Sequence, residues 1–135
     1  MASHVSARLH FAQGFDGTLI LREGEVAIGV QADQARPYDL LQAALVACLH
    51  STFLEILEKK RIVLPFADYA VEGTKRTEIP TMLEEVIVRV SLPDGLNNEA
   101  LEKSMHLATK YCSVYNTLAS VAKMSCIVEF VEAGE

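Results

Sequence analysis

The side chains most able to do chemistry in this chain are its three thiols, Cys48, Cys112 and Cys126, alongside four histidines, His4, His10, His50 and His106. Three cysteines without a short Cys–Cys spacing build no disulfide framework, so each is a core residue, a metal ligand or a redox group. Metal binding is the weakest of these. Cys48 and His50 lie two residues apart and point roughly 200° apart on a helix, so they cannot grip one ion. His106 and Cys112 are six apart across a suspected helix break, and no CxxC or HExxH spacing occurs. No metal and no cofactor is expected.

The three thiols differ in setting. Cys48 sits mid-helix, where a cysteine often only fills space and where the neighbouring backbone N–H groups are spent on the helix. A thiolate there needs a cation or hydrogen-bond donors from elsewhere. Cys112 lies in Tyr111-Cys112-Ser113, read as a helix break, with Lys110 near in sequence. Free N–H groups and the dipole of a following helix lower a thiol pKa, so electrostatics alone favours Cys112 as the standing thiolate. Cys126 shares a strand face with Val128 and Phe130 and reads as a core thiol.

The element that must position Cys48 is the stretch Pro37 to Arg61. Pro37 suits a first helical position, Asp39 suits the first turn, and Lys59, Lys60 and Arg61 suit the last. Between them Leu40, Leu41, Ala44, Leu45, Leu49, Phe53, Ile56 and Leu57 leave only a thin polar stripe at Gln42, His50 and Glu55. A helix apolar nearly all round is covered on most sides. One small sheet cannot supply that cover, so a second copy of the chain is expected to, as a tight homodimer.

Before this helix, Val5 to Phe11 alternates as a half-buried strand, Gly14 to Gly17 turns, and Thr18 to Arg22 and Val26 to Val30 read as two more strands. After it, Phe66 to Thr77 reads as a strand with a bulge expected at Gly73. Glu85 to Leu92 alternates as another, closed by the turn Pro93-Asp94-Gly95. Asn98 is the expected N-cap of a second helix, broken near Tyr111 and resumed from Val114 to Val121. Met124 to Val131 is a last strand. The prediction is a single α+β domain over residues 1–135, in the order βββ-α-ββ-α(broken)-β.

The chain has 135 residues, half of them hydrophobic, with a formal net charge of −6, which suits one domain with a sizeable core. No Lys/Arg cluster lies among aromatics, so nucleic acid is not an expected partner. No uncharged apolar run reaches the ~18 residues of a membrane span, and no secretory signal is visible. A cytoplasmic protein with no membrane partner is the expectation.

Pro37-Tyr38-Asp39-Leu40-Leu41-Gln42-Ala43-Ala44-Leu45-Val46-Ala47-Cys48, taken with Lys110-Tyr111-Cys112-Ser113-Val114, resembles the OsmC/Ohr family, the osmotically induced and organic hydroperoxide resistance proteins. The shared pattern is a proline-led, Leu/Ala-rich helix with a central cysteine, and a second cysteine some sixty residues later before Pro-Val or Ser-Val. The resemblance runs along nearly the whole chain. It implies an OsmC-like fold, an intertwined homodimer with a long buried central helix, and thiol-based reduction of organic hydroperoxides. It implies that Cys48 is peroxidatic and Cys112 resolving, with a dithiol reductant, often lipoyl-linked, as the second partner. The chain departs from the best-studied branch, where an arginine in the first Gly-x-Asp-Gly turn and a glutamate after the helix-opening proline support the cysteine. Phe15 and Tyr38 stand at those positions here. Arg36 and Asp39 are the charged residues nearest in sequence, although on a straight helix Asp39 points about 180° away from Cys48 and lies ~13 Å along the axis. Phe15, Tyr38 and Tyr111 would suit an apolar pocket. That leaves two alternatives on the same fold, a small-molecule binding module and a redox sensor.

Overall fold

The computed structural model describes residues 3–132. The order of elements is β1 (Arg8–Phe11), β2 (Asp16–Ile20), β3 (Glu25–Gly29), α1 (Pro37–Lys59), β4 (Asp68–Lys75), β5 (Leu83–Pro93), α2 (Asn98–Tyr111), α3 (Ser113–Ala119) and β6 (Lys123–Val131). This is the α+β order read from the sequence, including the broken second helix. The chain divides into two compact units, with the division after Ala43 inside α1.

The first unit holds an antiparallel sheet in the order β1-β2-β3. All four residues of β1 are exposed, so the expected half-buried strand is shorter and more open than its alternation suggested. Alternation reports a face that could be buried; it does not supply what covers it. The Phe11 ring lies against Gly17, where any Cβ would collide with it, and Phe15 stacks on Phe11 with ring centroids 5.9 Å apart. At the start of α1 the Arg36 carbonyl accepts from Leu40 N–H, 3.1 Å, while Asp39 Oδ2 accepts from Arg36 N–H, 2.9 Å. Asp39 thus reaches back to the capping residue's own amide, which satisfies a donor the helix would otherwise orphan.

In the second unit α1 buries Leu45, Leu49, Phe53 and Leu57, each four residues from the last and thus on one face. The sequence reading carried this helix to Arg61, but it ends at Lys59. Arg61 turns left-handed with φ 58°, Arg61 N–H donates to Glu58 O at 3.0 Å, and Ile62 N–H donates to Leu57 O at 3.0 Å. These paired bonds form a Schellman motif closed by a non-glycine residue, so the usual glycine signal is missing from the sequence. At the same end, Lys60 Nζ donates to the fully buried Ser104 Oγ at 2.7 Å.

The second sheet has the order β4-β5-β6, with β4 antiparallel and β6 parallel to the central β5. Val86, Val88, Val90 and Leu92 of β5 are fully buried, as are Leu101, Met105 and Ala108 of α2. The register shift in β4 falls at Thr74/Lys75, not at Gly73. The N-cap of α2 is Asn97 in a left-handed conformation, its side chain accepting from Ala100 N–H. Asn98 instead accepts from Gly95 N–H and donates to Asp94, so the expected cap is one residue late.

Candidate active site

Cys48 lies on α1 and Cys112 sits between α2 and α3, and the fold brings the two sulfurs together. Cys112 and the backbone N–H groups of Val114 and Ser113 act on the Cys48 thiol from the α2–α3 junction. Ser113 Oγ lies 3.7 Å from Cys48 Sγ. These donors come from the α2–α3 junction, the help from elsewhere that a mid-helix thiol requires.

The junction has this shape because Cys112 serves two helices at once. With φ −70° and ψ 117° it is extended, closing α2 and opening α3. Its N–H donates to Ala108 O at 2.8 Å, the last bond of α2, and its carbonyl accepts from Asn116 N–H at 3.1 Å, the first of α3. Its own sulfur accepts from Tyr115 N–H at 3.4 Å.

The electrostatics reverse the order expected from the sequence. The Cys48 thiol is lowered from its ordinary 9.0, chiefly by the Val114 amide, then by the Cys112 thiol, with Ser113 adding to both. The Cys112 thiol is pushed up to about 11 by burial, and the neighbouring Cys48 raises it further. The free N–H groups at the start of α3 do acidify a cysteine, but their direction in space delivers that effect largely to Cys48, while Cys112 is fully buried. Cys126 is likewise pushed up to about 11 by burial, but it is only partly buried on β6, so it lies at the edge of the core that the sequence reading placed it in.

The other residues singled out from sequence are placed as follows. Arg36 and Asp39 hydrogen-bond to each other at the start of α1. Phe15 remains about half exposed on its stack with Phe11, and Tyr38 is 36% exposed. Tyr111 is exposed and, with Thr52, Ile56, Lys59 and Leu107, lines a cleft of about 530 Å³. Thr52 Oγ1 donates to Cys48 O at 3.0 Å, so this cleft begins one turn beyond Cys48. No group of three or more potential metal ligands occurs among the described residues.

Two contributors escaped the sequence reading. Ser113 enters that reading as part of the break and of the family's Ser-Val motif but with no role of its own, and Asn116 does not enter it; both roles depend on the angle between α2 and α3. His50 is also tied down, its Nδ1 hydrogen-bonded to Tyr69 Oη at 2.8 Å. Burial lowers the His50 ring and raises the Tyr69 phenol, which keeps both neutral.

Known proteins share this architecture. The family model described as OsmC-like protein matches residues 30–126. No curated protein matches the sequence significantly. Among solved structures, an OsmC-like protein from Mycoplasma pneumoniae superposes with a TM-score of 0.85 at 18% identity, covering 98% of this chain and 100% of that one. A hypothetical protein from Aquifex aeolicus gives 0.79 at 24% identity, covering 97% and 100%. The organic hydroperoxide resistance protein OhrB of Bacillus subtilis gives 0.69 at 16% identity, covering 93% and 98%. At these identities the structural likeness speaks for the fold, and the sequence match over residues 30–126 speaks for descent: the chain belongs to the OsmC-like family.

Proposed function

We propose that the protein is a thiol-dependent reductase of organic hydroperoxides, with Cys48 as the peroxidatic residue and Cys112 as the resolving one. The observation that carries this reading is the meeting of two unlike thiols at the α2–α3 junction, where Cys48 Sγ lies 3.7 Å from the Oγ of Ser113, the neighbour of Cys112, one thiol acidified by the junction and the other kept protonated by burial. The Cys48 thiolate attacks the distal oxygen of the hydroperoxide. The O–O bond breaks, an S–O bond forms, and the alkoxide leaves to become the alcohol after taking a proton. Cys48 is then a sulfenic acid, open to further oxidation unless a thiol traps it. Cys112 attacks that sulfur, water leaves, and a Cys48–Cys112 disulfide results. An external dithiol, lipoyl-linked in the scheme the resemblance implies, restores both thiols and departs as its own disulfide.

Several observations support the proposal. Structures with the same fold include organic hydroperoxide resistance proteins from Legionella pneumophila and Elizabethkingia anophelis. Where the best-studied branch of the family uses an arginine and a glutamate, this chain has Phe15 and Tyr38, and backbone amides act on the thiol. In this reading the working unit is a homodimer. α1 leaves Ala43, Ala44, Ala47, Ser51 and Leu54 exposed along its length, and 22% of its most apolar window is buried within one chain. That helix is long and apolar enough to cross a membrane by length and composition; a second copy of the chain laid against it is the cover proposed here, and sedimentation at twice the chain mass is expected.

The cleft beside Thr52 favours one competing reading, a module that holds an apolar small molecule without turnover. Steady consumption of cumene hydroperoxide with dihydrolipoamide, lost in Cys48→Ser, is the outcome expected of the reductase. Mild hydroperoxide treatment should also join Cys48 to Cys112, seen as one linked peptide pair after trypsin. Two free thiols after treatment would remove Cys112 from the resolving role, and retained ligand without turnover would favour the binding module.

A further inference from the structure

Asn116 lies outside the pair of thiols, yet the two protons of its side-chain NH₂ are shared among three carbonyls. Its Nδ2 donates to Thr109 O at 3.0 Å, Lys110 O at 3.2 Å and Cys112 O at 2.8 Å. Three carbonyls facing the same atom establish which end of the amide is the NH₂.

Those carbonyls have a meaning in helix geometry. In an unbroken α-helix each N–H donates to the carbonyl four residues earlier. Thr109 O would accept from Ser113 N–H, and Lys110 O from Val114 N–H. Here the ladder runs to Cys112 N–H on Ala108 O and resumes with Asn116 N–H on Cys112 O. The three amides between leave the ladder: Tyr115 N–H turns to the Cys112 sulfur at 3.4 Å, while Ser113, whose Oγ lies 3.7 Å from Cys48 Sγ, and Val114 present the amides that acidify Cys48. Asn116 Nδ2 takes the place of the Ser113 and Val114 amides, at Thr109 O and Lys110 O. One side chain therefore exchanges donors with the backbone, satisfying the end of α2 while leaving two N–H groups free.

We propose that Asn116 is a positioning residue, holding the α2–α3 break open so that the amides of Ser113 and Val114 stay directed at the Cys48 sulfur. The catalytic meaning of this role rests on the reading of Cys48 as the attacking thiol, but the role itself does not require turnover. Without the Asn116 amide, Thr109 O and Lys110 O regain their ordinary partners most simply by letting α2 run on into α3. That continuation withdraws both amides from Cys48. Asn116 touches neither sulfur and acts only through the backbone.

The test is alkylation of the fully reduced protein by iodoacetamide as a function of pH, with each thiol read on its own tryptic peptide. Asn116→Leu keeps the shape and removes the donor. Its Cys48 profile should move to higher pH, with alkylation at neutral pH slowed roughly tenfold, the scale of one hydrogen bond to a charged group. Cys126 should be unmoved, and far-UV circular dichroism should show helix retained. Asn116→Gln, which keeps an amide on a longer arm, should fall between the two. In the wild-type protein, the amide proton resonances of Ser113 and Val114 should shift with the Cys48 midpoint, a measurement that needs no folded variant. An unmoved Cys48 profile in the folded variants, or Ser113 and Val114 amides that ignore Cys48 ionisation, would overturn the proposal. Failure of the peroxidase reading alone would abolish turnover in the wild type and leave these alkylation results standing.

Discussion

Ser113→Pro separates two properties that most substitutions move together. Ser113 is the first residue of α3, the position where proline fits best, because its N–H has no intrahelical partner. The preceding residue must be extended, and Cys112, at φ −70° and ψ 117°, already is. The carbonyl that would accept the Ser113 N–H in a continuous helix is bonded to Asn116, so proline breaks no backbone ladder. What it removes is one amide and one hydroxyl directed at Cys48, the hydroxyl at 3.7 Å. Restricting the unfolded chain at a compatible site stabilises by about 0.4–1 kcal/mol. For a chain of this size that is a rise in Tm of roughly 1–4 °C. The thiol should respond the other way. The Val114 amide, the largest influence on Cys48, remains, so the titration midpoint should rise while staying below the ordinary 9.0. Ser113→Ala, which loses the hydroxyl and keeps the amide, should give a smaller rise. Thermal unfolding and peptide-resolved alkylation across pH read the two effects separately. A more stable Ser113→Pro protein whose Cys48 midpoint equals or falls below that of wild type would refute the idea that junction amides set this acidity.

Two further outcomes follow from burial. Phe53 is fully buried on α1, and Phe53→Ala should cost about 3–5 kcal/mol, measured by urea unfolding of the reduced protein. Stability should also depend on pH above neutrality, with opposing signs. Cys48 is lowered in the folded state, so its contribution is present above the unfolded value of 9.0 and is lost as pH falls through its folded midpoint. Cys112 and Cys126 are raised from 9.0 to about 11, so their contribution is full below 9.0 and lost as pH rises toward 11. Reduced protein should therefore lose stability between those two values, and a denaturation midpoint that climbs steadily through that range would contradict the raised thiols of Cys112 and Cys126.

Much of the architecture could be read in the sequence because local physics repeats along the chain. Alternation in Val86 to Leu92 is the burial pattern of β5, the four-residue spacing of Leu45, Leu49, Phe53 and Leu57 is the buried face of α1, and the break at Cys112 is where α2 gives way to α3. Ends of elements were less legible. Arg61 and Asn97 adopt left-handed conformations that a glycine usually marks, so the end of α1 and the cap of α2 were each misplaced.

The sequence by itself determined the inventory: a proline-led apolar helix carrying Cys48, a second thiol at a helix break, and the family pattern that joins them. Only the tertiary structure decided which thiol is acidified. Sequence distance tells how near Cys112 is to the amides of α3, but a hydrogen bond depends on direction. The kink at Cys112 turns two of those amides across the fold onto a sulfur sixty-four residues earlier in the chain.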